Sequence, residues 1–223
     1  MVNVMPVSRP QARADATREA LLDAAIAEFA AHGFEGASTR SIAARAGTHQ
    51  PQINYHFDSK DELWRAAVDH VFSKLADAVA TPELAAFTGG GEITREGFAA
   101  VLRAIVRAVS GLPELNRMMV VEATADSDRL AWIVERHTRG IYDLLAGAWR
   151  SLRERGIVAE IDETIVYYAL IGAATMAYVN APEARRLVGE RVIDEAFIDA
   201  HAEAMVTIFL GPEPDPPPAT RNR

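Results

Sequence analysis

The chain contains no cysteine, which excludes disulfides, thiolate zinc sites and a cysteine nucleophile and accords with a reducing cytoplasm. Long apolar runs are also missing, and no segment approaches the ~20 consecutive apolar residues that a membrane-crossing helix needs. Met1 to Gln11 has neither the cationic start nor the apolar stretch of a secretion signal, so a cytoplasmic protein is expected. Period-two alternation, Asn-Gly and Asp-Gly hairpin signals and internal repeats are lacking, which leaves an all-α fold. Gly-x-Ser-x-Gly, His-Glu-x-x-His, a P-loop and a dinucleotide fingerprint are absent as well. The histidines, His32, His49, His56, His70, His137 and His201, are scattered without ligand spacing. No metal, cofactor or catalytic residue is expected.

What is present is enough for a substantial core: 223 residues, 49% of them hydrophobic and 24% charged. The formal charge of −8 argues at first against a nucleic-acid partner. Splitting it at Lys60 changes that. Residues 1–60 hold six Lys/Arg and six Asp/Glu, and the remainder seventeen and twenty-five, so the whole excess of −8 lies in the C-terminal part. A neutral N-terminal part is free to meet phosphate.

Residues 1–14 show no apolar periodicity and read as a loose arm with Arg9 and Arg13 as its only cations, a solvated tail or, as the alternative, an arm that touches DNA. From Thr17, Leu21, Leu22, Ala25, Ile26 and Phe29 fall at helical spacing, and His32-Gly33 supplies a stop. Thr39 is placed to cap a short second helix that ends at Gly47, and a third runs from about His49 to Phe57. Ser59-Lys60-Asp61-Glu62 is a capping box opening a fourth helix. Thr81 to Glu92, with three consecutive glycines, reads as a flexible connector. Further helices carry Phe98 to Val109, Met118 to Val121, Leu130 to Leu152, a segment capped by Asp162 and ending near Asn180, and a last one from about Asp194 to Gly211. The Pro-rich residues 212–223 cannot pack a core. The expected organisation is an arm (1–14), a small N-terminal helical domain (15–62), a helical C-terminal domain (63–211) and a disordered tail (212–223).

The segment Thr39 to Phe57 has the anatomy of a helix-turn-helix. Two helices cross closely on a short turn only if the crossing residues are small, which Ala43, Ala46 and Gly47 provide, while Ile42, Ile53 and Phe57 supply a shared core. Left outside on the second helix are Gln50, Gln52, Asn54, Tyr55 and His56. Gln and Asn can bond adenine edges bidentately in the major groove, whereas Tyr, His and Lys can reach phosphates. Pro51 lies in the first turn, where its missing N–H costs little.

These residues resemble the TetR family of bacterial repressors. The likeness is carried by Thr17 to Gly33, by Ser38-Thr39-x-x-Ile42-Ala43-x-x-Ala46-Gly47, and by Tyr55-His56-Phe57-Asp58-Ser59-Lys60-Asp61-Glu62-Leu63, roughly the first quarter of the chain. It departs from the family at Thr48, where an apolar residue is common, at His49, where a Ser-like cap is usual, and at Asn54, where Tyr is frequent. The resemblance implies that Gln50, Pro51 and Gln52 face bases. It gives Tyr55, His56 and Lys60 to the DNA backbone, with Thr39 and Arg40 adding phosphate contacts. It further implies a C-terminal domain that binds a small effector and dimerises. Small residues Ala169, Gly172, Ala173 and Ala177 lie among Tyr168, Met176 and Val179 on the penultimate helix, and Phe197, His201, Met205 and Ile208 mark the last one. Two such helices per subunit would make a four-helix homodimer interface, and two recognition helices would read a near-palindromic operator.

Candidate effector-binding residues are Phe98, Met118, Met119, Glu122, Trp132, His137, Tyr142 and Tyr167, apolar bulk with a few polar tips and no clustered Lys or Arg, which suits an apolar or amphipathic molecule. Two other readings stay open at this point, a helical adaptor that binds protein instead of DNA and an all-α enzyme.

Overall fold

Apolar residues at i, i+3 and i+4 give the first helix its buried stripe, and in a computed structural model that describes residues 9–189 and 194–212 the helix itself starts well before that stripe. Helix α1 (Arg9–Gly36) begins eight residues before Thr17. Residues 9–14, expected as part of a loose arm, are therefore helical. Pro10 is tolerated in a first turn and Gln11, Ala12, Arg13 and Ala14 are good helix formers, while none of them supplies the apolar period that would reveal a helix. Residues 1–8 lie outside the described part, as does the expected tail beyond Pro212.

At Gly33 the helix breaks, with φ 66° and ψ 178°. This backbone region is essentially reserved for glycine. An added Cβ would meet only Val121 Cγ1 at 3.8 Å, so the obstacle is conformational and not steric crowding. Gly33→Ala is expected to cost about 1–3 kcal/mol, measured as a lower midpoint in urea with an unchanged slope; an unaltered midpoint would show that the chain relaxes there freely.

The next three helices follow in quick succession: α2 (Thr39–Arg45), α3 (Gln50–His56) and α4 (Lys60–Val79). Ser38, not Thr39, caps α2, its hydroxyl accepting from Ser41 N at 3.4 Å. The turn after α2 is a Schellman motif, with Thr48 N bonding Ala43 O at 2.9 Å and Gly47 N bonding Ala44 O at 3.1 Å, and it requires the positive φ of 67° that Gly47 adopts. Ser59 Oγ accepts from Glu62 N at 3.0 Å, and the Glu62 carboxylate reaches back to Asp58 N at 2.6 Å. The expected capping box thus forms, with its return bond one residue earlier than the standard pattern.

Beyond α4 come α5 (Pro82–Thr88), α6 (Arg95–Ser110), α7 (Pro113–Glu122), α8 (Asp128–Ile133), a π-helical turn at Val134–Thr138, α9 (Arg139–Glu154), α10 (Glu163–Val179), α11 (Ala181–Val188) and α12 (Glu195–Leu210). All regular structure among the described residues is helical. Two helices were not expected. The connector at residues 81–92 contains α5, started by Thr81, whose hydroxyl accepts from Leu84 N at 3.1 Å, and by Pro82 in the first turn. Pro182 sits in the first turn of α11 instead of ending a helix.

The described residues fall into two compact units that interleave along the sequence, one up to residue 79 together with 108–141 and the other 80–107 together with those from 142 on. In the first, Leu21, Phe29, Ile42, Ile53, Leu63 and Trp64 form a continuous buried core, which Leu115, Met118 and Ile133 of the later helices join. In the second, Phe98, Leu102, Trp149, Leu152, Leu170 and Met205 are buried. Trp149 Nε1 donates to Ile161 O at 2.9 Å, and Arg95 donates to the carbonyls of Leu210 and Gly211, satisfying the end of α12. No single helix among the described residues is both long and apolar enough to cross a membrane.

Candidate nucleic-acid interface

Helix α3 turns one side inward and leaves the other bare. Ile53 is buried and Phe57, which ends the helix, is buried with it, as the core of Ile42, Ile53 and Phe57 requires. Gln50, Pro51, Gln52 and Asn54 are exposed and His56 is half-buried. Tyr55 is 76% exposed, a large aromatic held in water with only an edge contact to the His56 ring at 4.9 Å. An exposed row of two glutamines, an asparagine and a tyrosine is a surface with unused hydrogen-bonding capacity.

The start of α3 lacks a side-chain cap: His49 occupies the N-cap position without making the bond. Gln50 Nε2 instead donates to Thr39 Oγ1 at 3.3 Å, which ties the first residue of the recognition helix to the first residue of α2. Arg40 beside it is exposed. Lys60 opens α4 with its ammonium 3.3 Å from Glu35 O and 4.8 Å from the centre of the Phe34 ring. Arg129 meets the same ring, its guanidinium 4.2 Å from the Phe34 centroid, and bonds the buried Glu122 at 3.3 Å.

The cations of the molecule are disposed unevenly. Among the described residues, ten Lys/Arg after Lys60 have a carboxylate within 4.0 Å. Arg13, Arg18, Arg40, Arg45 and Lys60 have none. These five cations of the neutral N-terminal part are thus unneutralised at short range among the described residues, which the count of charges alone does not reveal. Arg18 stacks 5.3 Å from the Phe57 ring. Arg13, Ala14 and Thr17 of α1 line a shallow depression of about 300 Å³ with Gln52, Tyr55 and His56 of α3. Sequence reading placed Arg13 in a loose arm, solvated or touching DNA, and not on a helix beside α3.

The candidate effector residues fall into two sets. Met118, Met119, Glu122, Trp132 and His137 belong to the first unit, and Phe98, Tyr142 and Tyr167 to the second. Met118 and Phe98 are buried in the cores of their units. Met119, Trp132, His137, Tyr142 and Tyr167 are half-buried. His137 stacks flat on Phe72 at 4.3 Å and lies 2.9 Å from Asp69; burial holds its pKa below the usual imidazole value against the pull of that carboxylate. Tyr142 packs edge-on against Tyr167 at 5.1 Å and shares a 2.8 Å hydrogen bond with Thr164. Burial raises the Tyr167 phenol. Nearby, hydrogen bonding to Arg150 holds the Glu163 carboxyl down at about 2.

Helices α10 and α12 of the second unit each bury one face and expose another apolar one. On α10, Val166, Leu170, Ala174 and Tyr178 point inward, whereas Ile165 and Tyr168 are 63% and 70% exposed and Ala169, Ala173 and Met176 are exposed with them. On α12, Ala202 and Met205 are buried, and Ile208 is 69% exposed in line with Ala200 and Ala204. Met205 therefore does not share the outer stripe assigned to Phe197, His201, Met205 and Ile208. His201 ties the two helices, its Nδ1 2.9 Å from Tyr178 Oη and its Nε2 3.0 Å from Ala173 O.

Residues 21–67 match the family model described as bacterial regulatory proteins, tetR family. The HTH-type transcriptional regulator RutR of Escherichia coli K12 is 27% identical over 206 residues, covering 87% of this chain and 89% of RutR. The HTH-type transcriptional repressor SCO4008 of Streptomyces coelicolor is 26% identical over 180 residues, covering 78% of this chain and 85% of the repressor. Among solved structures, the fatty acid degradation regulator FadR of Bacillus halodurans superposes with a TM-score of 0.62 at 16% identity, covering 93% of this chain and 97% of that one, a likeness of fold.

Proposed function

Since this chain is a member of the TetR family of bacterial regulatory proteins, and so a DNA-binding transcriptional regulator and not an enzyme, we propose that it is a homodimeric repressor released from a near-palindromic operator by a small apolar or amphipathic effector. The observation that carries the DNA-binding surface is the exposed polar row of α3 flanked by cations without carboxylate partners. Gln50, Gln52 and Asn54 then read base edges, with Pro51 setting the helix start among them. Thr39, Arg40, Tyr55, His56 and Lys60 hold the backbone. Lys60 does so from the joint with Phe34, where a phosphate would relieve the unfavourable placement of a cation at a helix start.

The dimer is supported by the exposed apolar faces of α10 and α12, which a second copy covers with the same faces in an isologous four-helix contact. Half-buried Met119, Trp132, His137, Tyr142 and Tyr167 suit an apolar body with a few polar groups, alongside Glu122, Phe98 and Met118. Such a ligand releases DNA if it binds more tightly when the two recognition helices are out of register with successive major grooves.

The test is a binding titration on the DNA flanking the protein's own gene at low and moderate salt. Gln52→Ala is expected to lose about 1–3 kcal/mol of discrimination at one base position, and Lys60→Ala to weaken all sequences alike. A protein that binds no duplex, or binds with no dependence on salt, would favour a protein-binding adaptor.

A further inference from the structure

We propose that Arg13 on α1 is a DNA phosphate ligand, so that the first turns of α1 form a wall of the interface beside α3. The inference rests on the DNA-binding reading above and extends it to a residue outside the helix-turn-helix.

A major groove is ~12 Å wide and a helix with its side chains about 10–12 Å across. A recognition helix inserted in it is therefore flanked by both strands. The start of α3 is joined to α2 through Gln50 and Thr39, so that Thr39 and Arg40 would meet one strand. The other flank, formed by Gln52, Tyr55 and His56, is bordered by Arg13, Ala14 and Thr17 across the shallow depression.

Arg13 is exposed there and no carboxylate among the described residues pairs with it. Its own carbonyl accepts from Thr17 Oγ1 at 2.9 Å, which pins the neighbouring hydroxyl and leaves the guanidinium as the donor group on that wall. A planar guanidinium with five N–H donors suits a phosphate better than any other group lining the depression. Ala14, one residue on, adds no bulk that would keep a backbone away.

The full chain is titrated by fluorescence anisotropy over a range of salt, with one duplex recovered by selection from random sequence and one of unrelated sequence. Arg13→Ala should weaken binding to both by about tenfold and make the slope of log K against log salt shallower by about 2, one phosphate per subunit. Arg13→Lys should recover most of the slope. Circular dichroism should show an unchanged fold, as expected for an exposed position. An unchanged slope and affinity, or a loss confined to the selected duplex, would overturn the assignment. If the unaltered protein binds neither duplex, the DNA-binding reading itself fails, which is a separate outcome.

Discussion

Ile165→Glu is expected to turn the proposed homodimer into folded monomers. Ile165 is 63% exposed on α10, so the charge costs the isolated subunit little, but in an isologous contact each substitution appears twice. A central apolar residue contributes about 2 kcal/mol to an interface, and two copies give about 4 kcal/mol, or roughly a thousandfold in the dissociation constant. Ile208→Glu on α12 should act in the same direction. Light scattering at micromolar concentration should report half the mass, with circular dichroism unchanged. Operator affinity should fall with it, since a single half-site remains. A variant that stays dimeric would place the contact between copies elsewhere on the surface.

Trp64→Ala should be the most damaging single change within a subunit. Trp64 is fully buried in α4, with its ring 6.3 Å from Phe34 at a right angle and 5.7 Å from Trp132. Truncation leaves a cavity where α1, α4 and α8 supply aromatic rings, and costs about 3–5 kcal/mol. Against a total stability of about 5–15 kcal/mol, that is enough to move the denaturant midpoint sharply. Because Phe34 also carries the Lys60 ammonium and the Arg129 guanidinium, the residual folded protein should bind DNA less well. A loss under about 1 kcal/mol, within the range of ordinary surface substitutions, would show that the rings repack without a cavity.

The helix-turn-helix was legible because its constraints are local. A glycine at the turn, small residues beside it and three inward apolar positions are all written within nineteen residues, Thr39 to Phe57. The cap was misplaced by one residue because Ser38 and Thr39 can both accept the bond, and backbone geometry chooses Ser38. Periodicity failed where helices bury nothing. The first turn of α1 has no apolar stripe, and α5 has no buried residue, so neither leaves the pattern that marks a helix. On α12, Met205 and Ile208 lie three residues apart, about 60° around the axis at 3.6 residues per turn. That angle is enough to put one in the core and the other on the surface.

The candidate effector residues show a different limit. Phe98, Met118 and Tyr167 have the same composition signature, yet Phe98 and Met118 are core and Tyr167 is half-buried. A core and a pocket draw on the same residue types, and only three-dimensional placement separates them. The unpaired cations at the N-terminal end were hidden for a related reason, since a zero net charge counts carboxylates without saying where they sit. Glu28, one of those carboxylates, is 4% exposed and accepts from Ser38 N. It supports the fold between α1 and α2 and is not placed to neutralise the arginines of that part.

The most direct test of the account is selection of binding sites from random duplex DNA by the full chain, followed by footprinting of the enriched sequence. The account predicts two inverted half-sites centred about 34–36 Å apart, protected together and both lost with Ile165→Glu. Enrichment of a single unpaired half-site, or of no sequence at all, would contradict it.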